Sequence, residues 1–151
     1  MKVMSGVFLL VCMPLAVAKS DKAYPKEKIA EFVVEKLDVT SIPSAIGPKR
    51  EKGKRTFGDF GYVTQKLDDN EALVQAPQGL SKIAINILEE NKSGIYVCFN
   101  ARAQQQSSAQ IQRVFLLKLK SGFLKGRESW KEFDSCPVIG GTDDNSATDA
   151  Y

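Results

Sequence analysis

Residues 1–18 read as a secretory leader, and that reading sets the redox chemistry in which the rest of the chain must fold. Lys2 supplies a positive start. Val7 to Val17 is an apolar run interrupted by Pro14, and Ala16-Val17-Ala18 is a small-residue cleavage box followed at once by Lys19-Ser20-Asp21. The run is too short to hold a mature protein in a bilayer. The expectation is an exported protein, periplasmic or secreted, of about 133 residues, enough for one hydrophobic core.

Removal of the leader takes Cys12 with it and leaves Cys98 and Cys136. Two cysteines in an oxidising compartment predict a disulfide. The bridge would close a loop of roughly 39 residues, for which the chain-entropy model gives about 4 kcal/mol. The alternative role for Cys12 is lipid attachment, but a lipobox needs a small residue before the cysteine and Val11 stands there. The two remaining cysteines are too far apart in sequence for a redox-active CxxC.

Period-3.6 patterning comes first. Pro25 to Leu37 predicts a helix, with Ile29, Phe32, Val33 and Leu37 on one face and Pro25 at its first position. Val39 to Thr56 is a connector broken by Pro43, Gly47, Pro48 and Gly53. From Thr56 the period changes to two. Strands are expected over Phe57–Gln65, Ala72–Ala76, the Ile83/Ile85/Ile87 run, Ile95–Ala101, Val114–Lys120 and Phe123–Trp130. Turn signals separate them at Asp68-Asp69-Asn70, Pro77-Gln78-Gly79, Asn91-Lys92-Ser93-Gly94 and Ser121-Gly122.

Together these predict an α+β fold, an N-terminal helix packed on an antiparallel β-meander with one disulfide, as a single domain over residues 19–142. Ile83, Ile85, Ile87, Val97, Phe99, Phe115 and Leu117 are the expected core face, with Cys98 on the other face beside Tyr96 and Asn100. Ala103 to Gln110 reads as an exposed Gln/Ser loop. Residues 143–151 lack apolar anchors and predict a disordered acidic tail.

Chemistry is mostly excluded. The chain has no histidine, which removes Ser-His-Asp and Cys-His triads, HExxH zinc sites and histidine acid–base catalysis. No P-loop or GxGxxG is present. Asp68-Asp69 and Asp143-Asp144 are adjacent carboxylates, a poor match to a glycosidase pair or an EF-hand. Asn91-Lys92-Ser93 is a glycosylation sequon, of consequence only in a eukaryotic secretory pathway. No cofactor or metal is called for. A net charge of +3 is too small to imply nucleic acid, and no second apolar run is long enough for a transmembrane segment.

Two features invite a partner. Lys49, Arg50, Lys52, Lys54 and Arg55 put five cations into seven residues, either as a solvated connector or as a patch facing phosphate, acidic polysaccharide or anionic lipid. Trp130 sits among Lys125, Arg127 and Lys131. A tryptophan there most commonly caps the edge of a small core; exposed, it would suit a glycan or an acidic partner.

The run Lys36-Leu37, Pro43-Ser44-Ala45-Ile46-Gly47-Pro48, Gly53 and Thr56-Phe57-Gly58-Asp59-Phe60-Gly61-Tyr62, followed by Val97-Cys98-Phe99 and Cys136-Pro137, resembles the VirK proteins, small exported proteins of plant-associated bacteria. The resemblance implies a setting in a virulence regulon and supplies no catalytic residue. The expected function is that of a non-enzymatic exported accessory protein binding an envelope or extracellular partner, a protein or an anionic component. The alternative is a periplasmic inhibitor or immunity-type protein that blocks an enzyme through an exposed loop.

Overall fold

The computed structural model describes residues 24–103 and 110–140. The leader with Cys12, most of the Gln/Ser stretch and the 143–151 tail lie outside these residues. The described elements are helix α1 (Ile29–Lys36) and strands β1 (Leu37–Asp38), β2 (Val63–Leu67), β3 (Glu71–Gln75), β4 (Ser81–Asn91), β5 (Gly94–Ala103), β6 (Gln110–Lys120) and β7 (Phe123–Glu128). All seven strands form one sheet in the order β1-β7-β6-β5-β4-β3-β2. No described helix is long and apolar enough to cross a membrane.

The expected helix-on-meander architecture is corrected here. The sheet is mixed and curled, a half-barrel, and the helix is only eight residues long. Its mixed character comes from β1, which lies parallel to β7 with Leu37 opposite Leu124 and Asp38 opposite Lys125. Leu37 reads as the end of the helix, and Asp38 falls between it and the connector. Leu37 instead turns extended as it leaves α1, and Asp38 goes on to accept a hydrogen bond from the Thr40 amide at 3.1 Å. The curl has local sources as well. Register shifts interrupt β2 between Thr64 and Lys66 and β4 between Ile87 and Glu89. Such bulges bend a strand and increase its twist.

The helix begins at Ile29 rather than Pro25. Lys28 is in the left-handed region and offers no side-chain cap. The Ala30 amide, one of the donors a helix start leaves unpaired, bonds the Asp69 carbonyl at 3.0 Å in the β2–β3 turn. Thus the helix start is held by tertiary contact.

The two tight hairpins follow their turn residues. At β4–β5 the Ser93 amide donates to the Asn91 side chain at 2.7 Å, and Asn91 pairs with Gly94. At β6–β7 both Ser121 and Gly122 have positive φ, which matches the twist of the strands they join.

Residues 57–61 are not strand. Asp59 Oδ2 accepts from the Arg55 and Thr56 amides at 2.9 and 2.8 Å, and Thr56 Oγ1 accepts from the Asp59 amide at 3.2 Å. This closed turn buries Phe57 and Phe60 in the main core, and β2 begins only at Val63. The main core occupies one sheet face. Ile83, Ile85, Val97, Phe99, Phe115 and Leu117 are buried there, with Ile87 partly buried beside them. Phe99 and Phe115 meet edge-to-face at 5.4 Å. Ile29, Val33 and Leu37 cover this face together with Ile42, Ile46, Phe57 and Phe60 from the connector. The connector is therefore half of the roof, which the Pro/Gly-rich sequence does not suggest.

Candidate functional site

The basic loop is folded against the protein more than its sequence implies. The Arg50 Nε donates to the Thr40 carbonyl at 3.0 Å. Lys54 pairs with Glu51 at 2.8 Å and lies 5.5 Å from the centre of the Phe60 ring. Arg55 accepts the Val39 amide on its carbonyl at 2.8 Å, and its guanidinium lies 5.2 Å from the Phe123 ring. Lys49 and Lys52 make no ion pair or ring contact among the described residues. Lys49 and Arg50 border a shallow cleft of about 480 Å³ with Ser41 and Pro43. Three of the five cations are thus engaged, Arg50 within the connector and Lys54 and Arg55 over neighbouring rings, and two are left to solvent.

A buried charge lies on β1, at the edge of the sheet. Asp38 is 1% exposed, and its Oδ2 accepts from the Lys125 ammonium. Burial pushes the carboxyl up, but the Lys125 ammonium and the Thr40 hydroxyl and amide outweigh it and hold Asp38 below its ordinary value.

The opposite sheet face carries the expected disulfide. Cys98 in β5 joins Cys136 with 5.8 Å between Cα atoms. The bridge holds the segment after β7 back across the sheet. Gln112 and Ile139 exchange backbone hydrogen bonds at 2.8 and 3.2 Å, and the Gln112 side-chain amide donates to the Pro137 carbonyl at 2.8 Å. A second small cluster forms there from Cys98, Val114 and Cys136, with Leu88, Tyr96 and Phe133 against it. The Lys131 ammonium caps it, 4.6 Å from the Tyr96 ring and 4.9 Å from the Phe133 ring, and pairs with Glu89. Glu89 is held below its ordinary value by the Lys131 hydrogen bond and then by Asn91.

This cover is incomplete. Trp130 is 90% exposed. It borders a cleft of about 480 Å³ with Tyr96, Leu116, Arg127, Glu128 and Ser129. The common core-capping role of a lone tryptophan does not apply. The cleft continues into a basic stripe, because Leu116 stands opposite Arg127 and Lys118 opposite Lys125 on the same face, with Lys120 two residues further along β6. In the sequence Arg127 belongs to Trp130's setting, and Lys118 and Lys120 do not stand out beside it. The signal lay in the alternation Val114, Leu116, Lys118, Lys120, once β6 was known to have a second, half-covered face.

A third depression, of about 700 Å³, lies by the β2–β3 turn among Lys28, Glu31, Asp68, Asp69 and Glu71. Its carboxylates are partly engaged, since Lys66 bridges Asp68 and Glu71 at 2.8 Å each. No group of three or more described His, Cys, Asp or Glu side chains is arranged to hold a metal ion.

Comparison of the chain with protein-family models, curated proteins and solved structures finds no match.

Proposed function

We propose that this is a non-enzymatic exported protein that works by binding an extracytoplasmic partner, and that the sheet face opposite α1 makes the contact. The observation that carries the reading is Trp130, the sole tryptophan of the chain, almost fully exposed at the mouth of the Tyr96–Leu116–Arg127 cleft. Such an amphipathic ring left in water loses the burial that usually stabilises it, and rings of this kind are enriched where another molecule covers them. The disulfide fits an extracytoplasmic setting. The absence of histidine supports a binding role over catalysis. A virulence-associated setting rests on the VirK-like motifs alone and belongs to the same proposal.

The test compares two surfaces. The immobilised protein should retain material from an extracytoplasmic extract. Trp130→Ala with Arg127→Gln should abolish retention. The five-fold Gln variant of Lys49, Arg50, Lys52, Lys54 and Arg55 should keep most of it. Equal retention by wild type and the Trp130 variant would overturn the reading. Loss only in the loop variant, with stoichiometric capture of one enzyme, would favour the inhibitor alternative.

A further inference from the structure

We infer that the open half of this second face binds an acidic polysaccharide, one whose sugar rings carry carboxylates. The inference rests on the binding-protein reading and names its ligand class. Three observations carry it together.

The first is unspent positive charge. Lys118 and Lys125 stand directly opposite each other across β6 and β7, an arrangement that is unfavourable without counter-charge. Asp38 accounts for Lys125. Lys118, Lys120 and Arg127 make no ion pair among the described residues. The second is the platform. Trp130 and Tyr96 border the cleft beside Leu116, which is nearly buried. An exposed aromatic ring such as that of Trp130 suits the C–H face of a pyranose ring better than a compact headgroup.

The third observation separates a glycan from other polyanions. Ser129 lines the same cleft, whereas the Glu128 carboxylate, opposite Phe115 and bonded to Arg113 at 3.2 Å, is turned to the main-core face. The Ser129 hydroxyl is both donor and acceptor and can pair with sugar hydroxyls. Acidic peptides and phospholipid surfaces carry few such hydroxyls.

Because the chain holds one tryptophan, its fluorescence reports this cleft alone. The full chain is titrated with alginate, neutral dextran, polyglutamate and phosphatidylserine vesicles. Alginate should shift Trp130 emission to shorter wavelength saturably, and its affinity should fall about tenfold or more between 10 and 150 mM salt, as screening shortens from about 30 to about 8 Å. Lys118→Gln with Lys120→Gln should weaken alginate binding about tenfold and leave the melting curve unchanged, while the five-fold loop variant binds as wild type. No shift with alginate would overturn the inference. So would an equal shift with polyglutamate or vesicles at matched charge, an outcome that leaves the binding-protein reading standing. Loss of alginate binding in the loop variant would move the site away from this face and overturn it too.

Discussion

At the residue scale, the buried Asp38 carboxylate shows how one side chain joins separate elements. It receives the Lys125 ammonium from β7 and the Thr40 amide from the turn after β1. Its depressed pKa means that folding favours the ionised form. That stability is fully present above the unfolded value of 3.8 and is lost as pH falls through the lower folded value. Asp38→Asn should cost about 1–2 kcal/mol at pH 7, since Lys125 is partly exposed and its pairing is screened. Denaturant melts should show the gap between variant and wild type closing from pH 5 to pH 3. A gap of constant size would mean that ionisation of Asp38 contributes nothing to the stability. Gly94 is held to glycine by its backbone. Its φ is +143°, and a Cβ there would collide with the Leu117 carbonyl of the neighbouring strand. Gly94→Ala should therefore destabilise by about 2 kcal/mol or more, read as a lowered thermal midpoint. A change within the range of surface substitutions would contradict the close approach of β5 to β6.

At the scale of elements, period-two patterning located β3 to β7 because each of these strands buries one face and shows it in sequence. Ile83 and Ile85 or Val97 and Phe99 are legible for that reason. β2 hid because all five of its residues are exposed, and the aromatic run before it imitated a strand while Asp59 closed it into a turn. β1 hid because two residues carry no periodicity, and its pairing with β7 is decided by tertiary contact. The Cys98–Cys136 pair was legible from counting alone, and the structure adds what it does. It ties the segment after β7 to the sheet, so Cys98→Ser should lower stability by roughly 2–4 kcal/mol. The loss should be accompanied by faster amide exchange at Gln112 and Ile139, whose backbone bonds depend on that segment. Unchanged exchange at both positions would show that the segment is held without the bridge.

For the whole molecule, the two faces of one curled sheet have different fates. One is roofed by α1 and the connector and makes the main core. The other is half covered by the disulfide-held segment and half left as a cleft with a basic stripe. The cation-rich loop attracted functional attention in the sequence because its charges are adjacent there. The stripe did not, because Lys118, Lys120 and Arg127 are gathered only by the β6–β7 register. The central claim is that binding belongs to the half-covered face and not to the loop. Hydroxyl-radical footprinting of the full chain with and without alginate tests it most directly. The account predicts that alginate protects Trp130 and Tyr96 from oxidation and leaves labelling across residues 49–55 unchanged. Protection confined to residues 49–55, with Trp130 oxidised at the same rate as in the free protein, would contradict it.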